Sequence, residues 1–387
     1  MKGFTVSFII GLCCTVSAFG VDFGVTLDQR LEYNQDGQLY TGSTGPWLSA
    51  GISEKVQFYL SGNIAINYAQ KAWDKPLPLP ELSRLELNYR PESQTLIKAG
   101  RFVFNDSSGM IASGAFDGLY GEMQTTLGRV SAGLWYTGLL YRETAKIIMT
   151  GSDSIDYSAP WDGIDTYFAP RRLLADIRWD IPGILGPLNV LTLEGLAQFD
   201  LSDHEDTLHS QYLEVQYAIV PVPGLQVSLG GIMEVLEDGA GEYGIAFAAL
   251  AETGIRLPGL ISHRLFLGGN FSSGNRNDRL IAFVPLSGHP AGSLFTQTMS
   301  SLGRIHLGYK ARLHETLSLD TGVRCFMRTG SEALFYGGEI YASLLWAPLD
   351  DIAVTLGGGA FFPRRGNVFD SGTDPVRKIV AGIVLSF

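Results

Sequence analysis

Long apolar runs, helical periodicity, cysteine and charge are all scarce in this sequence, and each scarcity excludes a class of protein. No uncharged apolar stretch approaches the ~20 residues that a membrane-spanning helix needs, so the chain is not a helical membrane protein. Amphipathic helical patterns with caps are missing, which argues against a helical bundle or an α/β fold. Charged residues make up 17% of the 387 residues, whereas an ordinary soluble domain carries about 25%. Of the three cysteines, Cys13 and Cys14 fall in an N-terminal segment that reads as removable. The mature chain then has Cys325 alone, so neither an intramolecular disulfide nor a cysteine metal site is available. Positive charge is in deficit too, and a net charge of −11 argues against nucleic acid as a partner.

What the chain has instead is glycine (47 residues), aromatics (11%) and a two-residue rhythm. The N-terminus runs Met1-Lys2, then an apolar stretch from Phe4 to Val16, then Ser17-Ala18-Phe19-Gly20. A short charged region, an apolar region and a small-x-small end make residues 1–20 a secretory signal peptide. From there, strand-like segments recur with turns between them. In Asp22 to Tyr33, Phe23, Val25, Leu27 and Leu31 share one face while Thr26, Asp28, Arg30 and Glu32 share the other. The same holds for Val56, Phe58, Leu60, Ile64 and Ile66, and for Ile305, Leu307, Tyr309 and Ala311 against Arg304, His306, Lys310 and Arg312. The segments fall at 22–33, 43–52, 54–67, 81–90, 93–104, 114–124, 128–139, 171–181, 188–200, 210–221, 224–235, 242–256, 261–272, 298–312, 315–328, 334–347, 351–362 and 376–387. Residues 114–124 keep no clean parity. Connections alternate between short ones, such as Ser53-Glu54 and Val222-Pro223, and longer ones, such as 34–42, 140–170 and 273–297. The expectation is an all-β protein: one transmembrane antiparallel up-and-down barrel over residues 21–387, with about 18 strands (16 being the alternative), short periplasmic turns and longer extracellular loops.

The chain ends on Ile379, Ala381, Ile383, Leu385 and Phe387, all on one strand face. A last amphipathic strand closed by a C-terminal Phe resembles the bacterial outer-membrane β-barrel family, porins included. Lys98-Ala99-Gly100-Arg101-Phe102, followed by Asp106-Ser107-Ser108-Gly109 and Gly114-Ala115-Phe116-Asp117-Gly118, is similar to porins with a Gly-Arg strand ahead of a loop. The resemblance implies a place in the outer membrane among its lipids, Phe387 as the insertion signal read by the barrel-assembly machinery, and homotrimers as one open arrangement.

For such a barrel the chemistry lies in the inner wall and in loops that fold into it. Turning each polar face inward gives an acidic side, Asp176, Asp180, Glu194, Asp200, Glu214, Glu234 and Glu252, and a basic side, Arg264, Arg304, His306, Lys310, Arg312 and Arg324. A lumen with opposed charges orients polar solutes and penalises apolar ones, which must displace aligned water. The bland alternative is that these charges solvate a wide lumen or pair across strands. Loop aromatics Tyr157, Trp161 and Tyr167 suit sugars, or form an ordinary interfacial belt. Ser202-Asp203-His204-Glu205-Asp206 with His209 holds metal-type ligands, but as a solvated acidic loop it calls for no metal. Neither a G-x-S-x-G motif nor a His in a nucleophile setting points to an outer-membrane protease or phospholipase, so no enzyme and no cofactor is expected. The expected function is passive diffusion of small polar solutes. The rivals are a fatty-acid-type transporter of hydrophobic compounds, for which little chain precedes the first strand to form a plug, and an adhesin or structural barrel.

Overall fold

The computed structural model describes residues 20–35, 37–69, 79–157, 167–184, 186–203, 205–259, 261–275, 281–330, 334–364 and 374–387. The signal-peptide reading of residues 1–20 falls, but for Gly20, outside these. So do Trp161 and His204.

Eighteen strands form one sheet. In chain order they are β1 (Val21–Asn34), β2 (Gly37–Ser53), β3 (Val56–Ala69), β4 (Leu79–Tyr89), β5 (Thr95–Asn105), β6 (Ser113–Thr125), β7 (Gly128–Tyr136), β8 (Arg172–Pro182) and β9 (Asn189–Asp200). There follow β10 (Leu208–Val222), β11 (Leu225–Asp238), β12 (Tyr243–Leu257), β13 (Ser262–Ser272), β14 (Leu302–His314), β15 (Leu317–Arg328), β16 (Phe335–Leu349), β17 (Ile352–Pro363) and β18 (Val376–Ser386). Each strand pairs antiparallel with its sequence neighbour, and β1 pairs with β18, placing Thr26 opposite Ser386 and Leu31 opposite Ala381. Phe387 and Val25 exchange two backbone hydrogen bonds of 3.0 Å. The sheet is therefore a closed barrel without an edge, the arrangement that satisfies every strand backbone where no water is available.

Sixteen strands is thus ruled out, and one loop expectation is corrected. Residues 34–42 read as a long loop because Asn34, Asp36, Gly37, Thr41 and Gly42 offer no apolar alternation. Instead β1 and β2 run on to a tight hairpin, with Asn34 opposite Gly37. Gly37 takes φ +127°, a conformation open to a residue without a Cβ. A ladder needs backbone groups and tolerates small polar side chains, so composition hid the strand.

The outer face carries the exposed apolar side chains. Leu119, Ile177, Leu213, Leu229, Ile245, Leu267, Ile305 and Leu356 lie around the circumference, each at least half exposed. A belt of this kind is far larger than the few hundred Å² that a water-soluble surface tolerates, and it suits lipid. Charge placed on it should therefore be penalised where charge on the inner face is not. Leu229→Arg should cost about 2–4 kcal/mol, while Ser228→Arg on the adjacent inner position should leave folding near wild type. Urea titration of refolding into vesicles measures both, and equal effects would mean that the belt does not face lipid.

The interior is divided in two. Toward the longer connections the inner face is buried, and its apolar side chains Phe102, Phe104, Phe116, Trp135, Leu174, Leu196, Tyr212, Ile232, Leu236, Ala246 and Ala248, interleaved with a few buried charged groups, pack with Met110, Ile111, Phe283 and Leu286 from inserted segments. This explains the broken parity of 114–124, since Phe116 belongs to an apolar interior and not to a wet wall. Toward the short turns the inner face is polar.

One seam departs from the regular ladder. β4 and β5 pair only from Leu85–Tyr89 to Ile97–Arg101. Gly100, at φ +113°, sits where a Cβ would lie 2.0 Å from the Leu85 carbonyl. Just above, where the ladder stops, the Arg101 guanidinium donates to the carbonyls of Leu82 (2.6 Å) and Leu139 (2.8 Å) and to both Asp117 oxygens (2.9 and 2.7 Å). The Gly-Arg pair singled out in the sequence thus pins this seam.

Candidate functional site: a loop-filled lumen above a basic vestibule

Three connections on the same end of the barrel fold into it and bond to one another. The first, 106–112 between β5 and β6, is wound around Asp106, whose carboxylate accepts the N–H groups of Ser108, Met110, Ile111 and Ala112 at 3.1, 3.2, 3.0 and 2.6 Å. The second is 273–301, between β13 and β14. Its Leu286 N–H donates to the Ile111 carbonyl (2.8 Å), and Ser113 N–H donates to Ser287 Oγ (3.0 Å). The third, 137–171 between β7 and β8, carries among its described residues the short helices α1 (Arg142–Ala145) and α2 (Gly151–Asp156). It joins the second through Ile148 N–H to the Leu286 carbonyl (2.9 Å) and Gly288 N–H to the Lys146 carbonyl (2.6 Å).

Charged side chains of the inner wall tether these segments. Glu339 of β16 accepts the N–H groups of Ser293, Leu294 and Phe295 at 2.9, 2.8 and 3.0 Å. Hydrogen bonds to a charged group are worth about 1.5–3 kcal/mol each, so this one carboxylate holds the tip of the loop firmly. Arg324 bonds both Glu339 (2.6 Å) and Ser293 Oγ (2.7 Å), and Arg304 donates to the Ala291 carbonyl (2.8 Å). Phe295 stacks on Phe326, with ring centroids 4.3 Å apart, and packs against Tyr336 and Phe361. On the opposite wall, fully buried Arg172 bonds Asp200 (2.7 Å) and Asp153 of α2. Tyr167 donates to the Pro80 carbonyl (2.6 Å) and stacks on Tyr141, with centroids 4.7 Å apart. Burial pushes both phenols up, so they stay neutral.

Each sequence-predicted charged residue sits on the inner strand face, but the two groups divide by height. Asp200, Glu194, Glu214 and Glu234 are buried against loop segments. Ser107 N–H donates to Glu194 (2.8 Å) and Val284 N–H to Glu234 (2.9 Å). Asp176 accepts Trp135 Nε1–H at 2.8 Å. Asp180 is matched by Arg129 (2.6 Å) and Arg178 (2.9 Å). Glu252 is open and lies 3.6 Å from both Arg264 and His306. Of the basic group, Arg304 and Arg324 are loop tethers, whereas Arg264, Lys310 and Arg312 face the polar half of the interior.

There the register sets Arg256, Arg264, Lys310 and Asp320 directly opposite one another across β12 to β15. Lys310 lies 3.4 Å from Asp320 and 5.5 Å over the Phe266 ring. Arg256, Arg264, Lys310, Arg312, Asp320 and Ser343 line a cavity of about 450 Å³. Glu252 lies 3.6 Å from Arg264 and Asp320 3.4 Å from Lys310, yet Arg256, Arg264, Lys310 and Arg312 outnumber these two carboxylates, and positive charge focused in a cleft with low-dielectric walls attracts anions. Sequence reading missed Arg256, although it shares parity with Glu252 two residue pairs earlier in the same strand.

The loops lean on one side of the barrel. Along β1, β3 and β18 no described residue is buried. Their inner positions carry Asp28, Arg30, Glu32 and Lys378, with Lys378 bonded to Glu32 at 2.8 Å. Among the described residues that wall is thus less covered than the one under the loops. Among the described residues, which leave out His204 of the 202–206 segment, no three His, Cys, Asp or Glu side chains form a metal-binding group.

No protein-family model matches the sequence, and none of the curated proteins matches it. Solved structures do. The outer membrane protein OpdK from Pseudomonas aeruginosa, in its structure with vanillate, aligns at 12% identity over 95% of this chain and 98% of its own, with a TM-score of 0.63. OccK2 (OpdF) of the same organism, in complex with glucuronate, aligns at 16% identity over 95% and 98%, with a TM-score of 0.62. OccK3 (OpdO) aligns at 14% over 97% and 99%, with a TM-score of 0.61. This chain has the fold of those Pseudomonas proteins along nearly its whole length.

Proposed function

We propose that the protein is an outer-membrane channel for passive diffusion of small hydrophilic solutes, with small carboxylates preferred. The observation that carries the reading is the row Arg256, Arg264 and Lys310, with Arg312 beside it, facing an open polar vestibule below a loop-narrowed lumen. A carboxylate entering that row replaces lost hydration with charge-assisted hydrogen bonds. Two proteins of the same fold are described with vanillate and with glucuronate, and each of those ligands carries a carboxylate. The sharing of fold with outer-membrane channels further supports the short turns facing the periplasm and the longer connections facing outward. Phe387, 73% exposed on the lipid side, fits the insertion signal proposed for it. Purified protein in a planar bilayer should give stepwise conductance that small carboxylates reduce and neutral sugars do not. A folded barrel, confirmed by circular dichroism, that conducts nothing would overturn the reading.

A further inference from the structure

We propose that Glu194 and Glu214, with Ser107 and Ser108, form a binding site for one hard divalent cation, Ca²⁺ in preference to Mg²⁺, that locks the 106–112 loop to the barrel wall. The two glutamates are directly opposite each other on β9 and β10 and are 2% and 0% exposed. Like charges so placed destabilise a sheet unless something lies between them. The Ser107-Ser108 dipeptide brings a third carboxylate to the same place. Ser107 N–H is 2.8 Å from Glu194 Oε2, and Ser108 Oγ is 2.6 Å from Asp106 Oδ2 and 3.3 Å from Glu214 Oε2.

Among the described residues no ion pair reaches these acids. The cation nearest in register is Arg178, opposite Glu194 on β8, and its Nε is turned to Asp180 at 2.9 Å. The oxygens left over make the stronger argument. Glu194 Oε1 and Glu214 Oε1 are each shut off from solvent and lack a hydrogen-bond partner among the described residues, and the equally enclosed Ser107 hydroxyl interacts with both glutamates. Asp106 is different, because its two oxygens are spent on the N–H groups of its own loop. Two unspent carboxylate oxygens with a hydroxyl beside them, all hard donors, are a partial shell for an ion that takes six to eight oxygens and completes its set with water. Mg²⁺ demands a tighter octahedron than a loop hydroxyl and two strand carboxylates provide. Asp106 is a loop-winding residue and not a ligand.

The inference does not depend on which solute the channel carries. The test uses the full chain refolded in an uncharged detergent and stripped with EDTA, and titrates it calorimetrically with CaCl₂ and with MgCl₂. The expected result is one Ca²⁺ per chain, with Mg²⁺ weaker. In the Glu194→Gln/Glu214→Gln double variant the Ca²⁺ affinity should fall at least tenfold. Each Gln still accepts the loop hydrogen bonds through its carbonyl oxygen, so the barrel should fold, and far-UV circular dichroism checks this. A Ca²⁺-bound wild-type loop should also resist proteolysis within 106–112 better than the EDTA-treated protein. No calcium heat in the wild type, or equal binding by a folded double variant, would overturn the site and leave the two glutamates holding a proton between them.

Discussion

Replacing Arg264, Lys310 and Arg312 together with Gln should move the reversal potential under a salt gradient toward cation selectivity and slow carboxylate entry by about tenfold or more at low salt, the scale on which focused charge raises association rates. These three side chains face the vestibule, and their removal leaves Asp320 and Glu252 as uncompensated negative charges in the same space. The effect should shrink as ionic strength rises, because the Debye length falls to about 8 Å at 0.15 M. Arg304 and Arg324 make the informative control. They belong to the same basic side by sequence, but their guanidinium groups bond the loop at Ala291 and Ser293. Neutralising them should alter conductance noise and loop order more than charge selectivity. If the vestibule triple leaves the reversal potential unchanged, solutes do not pass along β12 to β14.

The second large effect concerns the obstruction. Cutting residues 283–298 out of the connection between β13 and β14 and bridging with a short Gly-Ser link should raise single-channel conductance several-fold. The segment removes space in two ways. Phe283 and Leu286 fill the apolar interior, and Phe295 caps Phe326, Tyr336 and Phe361. Its loss should also lower the unfolding temperature, because those inner-face aromatics would then meet water. Conductance that stays at the wild-type level in a folded deletion variant would mean that the loop lies beside the conducting path and does not narrow it. Deleting within 106–112 should have a smaller effect, since that segment is shorter and rests on the same wall.

Strand number and facing were legible because lipid on one side and polar groups on the other impose a period of two. Leu229 beside Ser228 and Ile305 beside Arg304 show that rule without exception. The rule fails wherever the inside is not wet. Phe116, Tyr212 and Ile232 point inward into an apolar packing that inserted loops create, and nothing local in those strands announces a loop arriving from more than fifty residues away. The irregular parity around Phe116 was the one trace of it. For the same reason the basic side could be read as a set but not divided. Arg304 and Lys310 occupy equivalent strand positions, and only the path of residues 290–295 makes one a tether and the other a vestibule cation. Arg256 was within reach of the parity rule. The pairing of Glu194 with Glu214 was not, because register across a hairpin depends on the exact turn.

The bond between β1 and β18 has a consequence for how the molecule comes into being. β1 is completed only by β18, its partner from the far end of the barrel sequence, with Val25 bonded to the backbone of Phe387. Until those two strands meet, the sheet presents raw edges to any neighbour of like kind. Contacts so distant along the chain are reached slowly, and an unpaired strand invites aggregation. The sheet is therefore open to edge-to-edge pairing for as long as that seam stays unmade.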